Sequence, residues 1–407
     1  MKVKCIVAGG GAAGFFAAIT AAEAGAEVTV LEKTARFLDK VRISGGGRCN
    51  VTHACFDSKE FAARYPRGGR ELLGPFQKFS ARDAVAWFEA RGVPLKAEAD
   101  GRMFPVTDSS QTVVDCLLNS ARNANVEMRL NCAAASARKN ADGSFEVMLT
   151  SGETMNCNRL LLATGGCRAL GGGQLAVALG HSLEPPVPSL FTFQIEEPWL
   201  RALAGVSTEA RVSVPGTRLR ERGPLLVTHW GVSGPCVLKL SAWGARELHT
   251  LNYHFPLHVN WLPKQGAQDL AAAFQARRQS DGAKLVVNVP VPPLTLRLWE
   301  QLVLASGIPR DARWSVLTRS QMQALAEQLA CTKFSVTGKS LNKDEFVTCG
   351  GVRLSEVNFQ KMESKICPGL YFAGELLDLD GLTGGFNFQA AWTTGFIAGR
   401  AMATAHA

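Results

Sequence analysis

A glycine-rich turn between two apolar runs constrains the fold of this chain more than any other feature. Residues 2–8 form the first run, and Gly9, Gly11 and Gly14 follow it with the spacing G-x-G-x-x-G. A helix of small residues and a second apolar run come next, and that run ends at Glu32. Strand, glycine turn, helix, strand and terminal acid within about 30 residues predict a dinucleotide-binding βαβ unit.

Each position of this unit has a physical role toward a bound dinucleotide. Gly9 makes the tight turn, Gly11 lets a pyrophosphate approach the backbone, and Gly14 allows close packing of helix and strand. The free N–H groups at the helix start favour an anion. Glu32 can accept hydrogen bonds from both ribose hydroxyls and repels a 2′-phosphate, so FAD or NAD is expected rather than NADP. The predicted contacts of this unit are Gly9, Gly11, Ala12, Ala13, Gly14, Glu32 and Lys33.

Composition places the chain among globular proteins with reduced thiols. Its 407 residues leave room for two or three domains, and 46% hydrophobic content leaves no room for a large disordered part. None of the eleven cysteines forms a C-x-x-C pair, and several lie in strand-like runs. This pattern predicts packed thiols in the cytoplasm and disfavours both a metal site and a dithiol reductase. No uninterrupted apolar run reaches 18 residues, so no membrane span is expected.

The positive charge of the chain is concentrated in its middle. The net charge is +9, and residues 187–341 alone contain 17 Lys+Arg against 10 Asp+Glu, a balance of +7. A basic excess of this kind favours a polyanion such as RNA. A solvated basic surface without a partner explains the charge equally well.

Residues 44–50 form a second glycine-rich stretch, Ser-Gly-Gly-Gly-Arg-Cys-Asn, shortly after Lys40. Three consecutive glycines predict that residues 37–52, which contain this stretch, form a loop whose backbone approaches a flat or anionic group. This stretch resembles that of the BaiN/RdsA-like family of NAD(P)/FAD-dependent oxidoreductases. The Thr-His-Trp-Gly-Val-Ser-Gly-Pro segment at residues 228–235 and the chain from 348 to 399 are also similar to family members.

The resemblance implies an FAD cofactor. It implies that Glu375, at the end of a strand, bonds a ribityl hydroxyl. The closing helix begins near residue 385, and its first N–H groups would point at the N1/C2=O edge of the flavin, where a helix dipole favours negative charge. Residues 44–50 would lie on the N5 side. The further predicted contacts with FAD are Lys40, Ser44, Gly45, Gly46, Gly47, Arg48, Cys49, Asn50, Ala163, Thr164, Gly165, Gly374, Glu375, Gly385, Phe386, Asn387 and Phe388.

The predicted fold is α/β, with one domain inserted into another. Residues 1–186 and 342–407 are expected to form a Rossmann-like FAD-binding domain of the three-layer β/β/α type. A proline-rich segment, 185–188, marks the boundary to residues 187–341. This middle segment contains short alternating runs followed by three helical stretches, so we expect an inserted β-rich domain with a helical subdomain.

Two residues are candidate proton donors for a flavin-dependent reduction. Cys49 lies beside Arg48, whose guanidinium is expected to lower the thiol pKa and favour the thiolate. A thiolate has no proton to donate, so this effect weakens Cys49 as a proton donor. His229 lies among Gly and Ser neighbours. Cys49 is otherwise a small packing residue and His229 a structural histidine. No second G-x-G-x-x-G unit follows residue 33, so NAD(P)H is expected to act as a transient reductant.

Two substrates are implied by the resemblance: uridine in large-subunit ribosomal RNA, reduced to dihydrouridine, and steroid-like enones. Both reactions reduce a C=C bond conjugated to a carbonyl. The basic middle segment favours RNA, with Arg218, Arg220 and Arg222 as a phosphate track and Trp230 as a stacking platform. The alternatives are solvated arginines with a core tryptophan, a reductase of small enones, and a non-catalytic FAD-binding scaffold on RNA. The sequence leaves the target nucleotide and the oligomeric state open.

Overall fold

The computed structural model describes residues 2–167, 173–340 and 347–404, which divide into two compact units. The sheet unit comprises Met1–Pro188 and Lys343–Ala407, and the barrel unit comprises Ser189–Asn342. The domain boundary predicted between residues 341 and 342 lies outside the described residues, as do residues 168–172 of the turn after Gly165. Within the described chain, no helix combines the length and the apolar character needed to cross a membrane.

The described chain contains strands and helices throughout its length. The strands are β1 (Lys4–Ala8), β2 (Glu27–Leu31), β3 (Thr52–His53), β4 (Leu95–Ala97), β5 (Arg102–Pro105), β6 (Glu127–Arg129), β7 (Ala134–Lys139), β8 (Phe145–Leu149), β9 (Thr154–Cys157), β10 (Arg159–Leu162), β11 (Leu183–Ser189), β12 (Thr192–Ile195), β13 (Ser207–Ser213), β14 (Arg220–Thr228), β15 (Gly231–Ser233), β16 (Phe255–Asn260), β17 (Thr332–Ser340), β18 (Val347–Val352), β19 (Val357–Asn358), β20 (Glu363–Ser364) and β21 (Leu370–Phe372). The helices are α1 (Ala12–Glu23), α2 (Asp39–Gly47), α3 (Ser58–Ala62), α4 (Gly69–Lys78), α5 (Ala81–Glu89), α6 (Ser110–Asn123), α7 (Gln174–Ala178), α8 (Pro198–Arg201), α9 (Pro235–Trp243), α10 (Ala245–Thr250), α11 (Ala267–Ser280), α12 (Leu296–Ala305), α13 (Arg319–Ala330) and α14 (Phe386–Ala403).

A seven-stranded sheet in the order β19-β20-β21-β10-β1-β2-β6 forms the centre of the sheet unit. The strands from β21 to β6 are parallel, and β20 and β19 join antiparallel at one edge. Because helices cover a parallel sheet, four of the five residues in both β1 and β2 are buried. The Rossmann-type α/β architecture predicted from the sequence is confirmed.

Helices α1 and α14 pack against each other at backbone distance. A Cβ atom at Gly395 would lie 2.6 Å from the Ala13 carbonyl oxygen, and one at Gly399 would lie 2.4 Å from that of Ala17. Only glycine allows this approach, and the order of the contacts shows that the two helices run in the same direction. Nine residues of α14 precede Gly395 and one residue of α1 precedes Ala13, so the N-terminus of α14 projects about 12 Å along the axis beyond the start of α1.

The barrel unit is built on a closed six-stranded barrel in the order β12-β15-β14-β13-β16-β17. Its inward side chains, including Phe193, Val212, Leu257 and Val336, are buried and fill the interior. A barrel of this strand number is therefore a packed core rather than a channel. Helices α11, α12 and α13 form the helical subdomain expected from the sequence.

Candidate cofactor site

The turn between β1 and α1 has one open side. Gly9 has φ +120°, and a Cβ there would lie 2.3 Å from the Ala163 carbonyl oxygen. A Cβ at Gly14 would lie 1.9 Å from the Gly9 carbonyl oxygen, so this position also admits only glycine. At Gly11, by contrast, a Cβ would meet no described atom within 4 Å. The bare backbone at Gly11 therefore leaves space for a ligand.

The start of α1 carries an uncompensated positive dipole end. Gly11 is its N-cap and provides no side-chain hydrogen bond, and the first turn contains no acidic residue. The first N–H groups of a helix have no partner within it, and the dipole adds a partial positive charge. This combination suits the pyrophosphate of a dinucleotide.

Glu32, directly after β2, is already engaged by three donors. Its Oε2 accepts from the Gly10 N–H at 2.9 Å, and its Oε1 accepts from both the N–H and the hydroxyl of Thr34 at 2.9 Å. A carboxylate offers about four acceptor positions. The described residues thus leave one of these positions, on Oε2, and the expectation that Glu32 accepts from both ribose hydroxyls stays a prediction. Lys33 is exposed beside it.

The predicted loop at residues 37–52 is partly helical. Helix α2 extends over Asp39–Gly47 but breaks at Ser44, where ψ is 149°, and Gly45 and Gly46 have φ of +58° and +67°. The prediction of a loop is therefore wrong for the turn before Ser44. Gly46 and Gly47 have no described atom within 4 Å of an added Cβ, so their backbone is open.

Cys49 is fully buried, and its environment reverses the expected pKa shift. Burial raises the pKa of the thiol to about 12, although a hydrogen bond with Ser44 lowers it. Arg48 does not act on the thiol as predicted, because its guanidinium donates to Glu98 at 2.7 Å and lies 4.0 Å from the Phe104 ring centroid. The Cys49 thiol therefore stays protonated at neutral pH.

Asn50 supplies an independent sign of a missing polar group. The residue is 9% exposed, and its Oδ1 is buried without a hydrogen-bond partner among the described residues. An unsatisfied buried acceptor costs about 1–3 kcal/mol. A ligand that brings an N–H donor, as the isoalloxazine ring does, removes this cost.

The turn after β10 and the turn after β21 meet at Glu375. Ala163 is buried, Thr164 is half-buried, and Gly165 has φ +79° with open space beside its backbone. The Glu375 Oε2 atom pairs with Lys40 Nζ at 2.5 Å. Lys40 and Glu375, which the sequence assigns separately to the cofactor, are thus brought together. Gly374, with φ +71°, lies against Ala13 of α1.

The start of α14 is a second uncapped helix end. Its N-cap Gly385 has φ +93°, and a Cβ there would lie 2.4 Å from the Thr52 carbonyl oxygen. No side chain caps the helix, and its first turn has no acid. Phe386 is buried, with its ring 4.7 Å from that of His53, and Phe388 stacks on Trp392.

The side chain of Asn387 is hydrogen-bonded to the loop before α14. It accepts from the Gly381 N–H at 2.8 Å and donates to the Gly381 carbonyl at 2.9 Å. The amide has a second N–H, so both this group and the backbone N–H at the helix start can donate to a cofactor. Asp378 and Asp380 hold the preceding loop: Asp378 accepts from the Gly350 N–H at 3.0 Å, and Asp380 forms a buried ion pair with Arg67.

Two contributors to this region were missed by sequence reasoning. Arg67 is the first: its guanidinium is 12% exposed and pairs with Asp380, 313 residues away. Tyr65 is buried, and its hydroxyl donates to the Phe386 carbonyl at 2.5 Å. The sequence carries no local signal for these contacts, because each partner is more than 300 positions distant.

The other candidate proton donor, His229, lies in the barrel unit. It is exposed at the short turn between β14 and β15, beside Trp230. Trp230 is 62% exposed, so the alternative that it is a core residue is wrong. The cysteines of the described chain are all free, and no three potential metal-ligating side chains are grouped within it.

FAD fits the sheet unit on three observations. Open glycine backbone faces space at Gly11, Gly46 and Gly165. Two uncapped helix starts, those of α1 and α14, can receive the pyrophosphate and the flavin edge. The buried Oδ1 atom of Asn50 has no hydrogen-bond donor among the described residues, and a flavin N–H can supply one. The fold and this site are those of an FAD-dependent oxidoreductase.

Comparison with known proteins gives the family. A model described as the HI0933-like protein Rossmann domain matches residues 3–401, and the chain belongs to this family. The resemblance found in the sequence is thereby confirmed.

Two curated relatives match over almost their whole length. A ribosomal RNA dihydrouridine synthase of Escherichia coli K12 is 31% identical over 404 residues, 97% of this chain and 96% of the relative. A 3-dehydro-bile acid delta(4,6)-reductase of Clostridium scindens is 29% identical over 408 residues, 98% of each. The solved structure of a 3-ketosteroid-delta4-(5alpha)-dehydrogenase from Rhodococcus jostii RHA1 has a TM-score of 0.53 at 16% identity, covering 99% of this chain and 97% of that one. This last likeness shows the fold alone.

Proposed function

We propose that this protein reduces the C5=C6 bond of a uridine in large-subunit ribosomal RNA to give dihydrouridine. The two curated relatives are about equally similar and act on different substrates, as their names state. The observation that favours RNA as the substrate is the net charge of +7 within residues 187–341. A polyanion is the partner that such a charge excess attracts. The proposal places the protein in the cytoplasm.

The sheet unit provides the groups that would hold the cofactor. The α1 start would bind the pyrophosphate, and Oε2 of Glu32 would accept one ribose hydroxyl. Glu375 would accept a ribityl hydroxyl, with Lys40 holding its carboxylate in place. Residues 44–50 and the α14 start would border the ring. When bound, FAD supplies a hydride to the carbon β to the carbonyl, and NAD(P)H is the proposed source of its electrons.

A proton must reach the α carbon to complete the reduction. Cys49 and His229 remain the proposed donors. Burial keeps the Cys49 thiol protonated, which a general acid requires, although a pKa of about 12 makes proton release unfavourable without a nearby developing negative charge. His229 is exposed and so accessible to a large substrate.

Nucleoside mass spectrometry of ribosomal RNA from a deletion strain tests the proposal. Loss of one dihydrouridine, restored by the wild-type gene, is the expected result. A gene that carries Gly11→Asp is the negative control. A carboxylate at the open turn would repel the pyrophosphate, so this variant should not restore the dihydrouridine. Unchanged dihydrouridine in the deletion strain would refute the RNA substrate.

A reductase of small enones is the second candidate, and the 29% identity to a bile acid reductase favours it. Turnover of a steroid enone by purified protein and NAD(P)H, with no salt-dependent RNA binding, would support it. The third hypothesis is a non-catalytic FAD-binding scaffold on RNA. It predicts that the protein binds RNA but that NAD(P)H does not bleach the flavin absorption band at about 450 nm.

A further inference from the structure

The register of the barrel aligns polar and basic side chains in a row across four strands. Arg220 of β14 lies opposite Ser213 of β13, and Ser213 lies opposite His258 of β16. His258 in turn lies opposite Lys333 of β17. Neighbouring strands are about 4.8 Å apart, so the row is about 14 Å long.

A second row runs beside the first on the same face. Arg222 lies opposite Arg211, and Arg211 lies opposite Asn260. These residues are two positions from the first row along their strands, about 7 Å away. Arg211 is held toward the outside by a 2.9 Å hydrogen bond from its guanidinium to the Pro263 carbonyl.

Inward and outward positions alternate clearly along these strands. Thr208, Ala210 and Val212 of β13 are buried, whereas Arg211, Arg220, Arg222 and Lys333 are exposed. Among the described outward side chains of β13, β14, β16 and β17, the one acid is Glu209, which pairs with Arg222 at 3.0 Å. We name the face formed by Arg211, Arg220, Arg222, His258 and Lys333 the basic barrel face.

We propose that the basic barrel face binds the phosphate backbone of an RNA, and this inference rests on the proposed function. Three of its four permanent cations are arginines, whose planar guanidinium donates two hydrogen bonds to one phosphate. The cations lie in two rows and do not converge on one point. This distribution matches successive phosphates of a polymer better than a single mononucleotide.

The register adds what the sequence pattern alone does not show. Arg220 and Arg222 have period-two spacing, whereas Arg211, His258 and Lys333 are distant along the chain and join them only through strand pairing. Arg218 precedes β14 and lies outside the rows.

A matched pair of triple variants tests the face. The test variant carries Arg220→Gln, Arg222→Gln and Lys333→Gln. The control carries Lys284→Gln, Arg310→Gln and Arg319→Gln, which remove the same charge from exposed positions of the helical subdomain. RNA binding is measured by fluorescence anisotropy over a salt series, with a large-subunit RNA fragment as the probe. Circular dichroism and the bound-flavin spectrum verify that both variants are folded.

The test variant should bind RNA at least about tenfold more weakly at moderate salt, and its log–log salt slope should fall by about 2 for three lost contacts with single-stranded RNA. The control should keep the wild-type slope. Equal affinity and slope in test variant and wild type would overturn the inference, as would equal losses in test and control.

Dihydrouridine formation separates this inference from the proposed function. If wild-type protein binds RNA through this face but forms no dihydrouridine, RNA binding by the basic barrel face is supported and the proposed reaction is refuted. If wild-type protein forms dihydrouridine and the test variant binds RNA normally, the proposed reaction is supported and RNA binding by the basic barrel face is refuted. Absence of RNA binding by the wild type would overturn both.

Discussion

Lys40 Nζ lies 2.5 Å from Glu375 Oε2, and this ion pair joins α2 to the turn after β21 across 335 positions of sequence. The lysine side chain is 62% exposed and the glutamate 21%. Exposed pairs stabilise a fold by about 0–1 kcal/mol, so stability is not the main effect of this contact. Its effect is to hold the Glu375 carboxylate beside the turn at Gly165 and Gly166, whose backbone is open at Gly165.

Glu375→Gln should therefore weaken FAD binding more than it weakens the fold. Loss of one charge-assisted hydrogen bond corresponds to about a tenfold higher Kd for FAD, measured by flavin fluorescence titration. Lys40→Gln should change the free energy of unfolding by less than about 1 kcal/mol. Arg138→Gln, which breaks an exposed pair with Glu146, is the control. FAD affinity unchanged in Glu375→Gln would show that this carboxylate does not contact the cofactor.

Alanine at Gly11 and at Gly14 should have opposite consequences. A Cβ at Gly11 enters open space, so Gly11→Ala should leave apoprotein stability nearly unchanged and raise the Kd for FAD about tenfold or more by occupying the ligand's position. A Cβ at Gly14 would lie 1.9 Å from the Gly9 carbonyl oxygen, so Gly14→Ala should lower the melting temperature of the apoprotein. Thermal melts with and without FAD distinguish the two. Equal melting temperatures for both apoproteins would contradict this assignment.

The buried His181 should make the fold sensitive to acid. Its Nδ1 lies 2.9 Å from Glu356 Oε2 and its Nε2 lies 2.8 Å from Ser364 Oγ. Burial lowers the pKa of His181 despite the raising effect of Glu356. The unfolded chain then binds more protons than the folded chain, so the free energy of unfolding falls as pH drops below about 6.5.

Urea unfolding of wild type and His181→Gln at pH 7.5 and 5.5 measures this effect. The variant should lose less stability than the wild type between the two values. Burial raises the pKa of Glu356, but hydrogen bonds with Ser182 and His181 lower it overall below its usual value of 4.5, so the stability that this carboxylate contributes is lost only at lower pH. Parallel losses in the two proteins would contradict the role of His181.

Cys49 should resist alkylation in the folded protein. Its thiol is fully buried and its pKa is raised to about 12, so iodoacetamide at pH 8 should label it only after unfolding. If Cys49 is the proton donor, Cys49→Ala should slow dihydrouridine formation by about a hundredfold or more without changing flavin reduction by NAD(P)H. Equal rates in Cys49→Ala and wild type would leave His229 as the candidate.

Trp230 should contribute to RNA binding by stacking. It is 62% exposed at the turn between β14 and β15, and loss of one base–aromatic contact costs about 1–3 kcal/mol. Trp230→Ala should therefore raise the Kd for RNA about fivefold to a hundredfold without changing the salt slope. Trp243→Ala, at a 43% exposed position on α9, is the control. Equal effects of the two substitutions would argue against stacking at Trp230.

The parts of the site that are local in sequence were predictable. Gly9, Gly11 and Gly14 act within one turn, and their spacing alone assigns the tight turn, the open backbone and the packing contact. Residues brought in from a distance were not predictable. Arg48 pairs with Glu98 across 50 positions, and burial of Cys49 reverses the pKa shift expected for its thiol.

In the barrel, too, local features were predictable from the sequence and contacts between distant strands were not. Alternating apolar residues predicted strands in the middle segment, because each strand buries one face. The pattern did not predict closure of the barrel or the register that places Lys333 beside His258. Register between distant strands depends on the packing of the whole interior.

The close packing of α1 on α14 has a consequence for biosynthesis. Gly395 touches Ala13, so the first and last segments of the chain complete one site together. The barrel unit is continuous in sequence and leaves the ribosome before α14 does. Translation proceeds at about 5–20 residues per second, so the first βαβ unit waits many seconds for its closing helix. The complete flavin site therefore forms only after α14 has been synthesised.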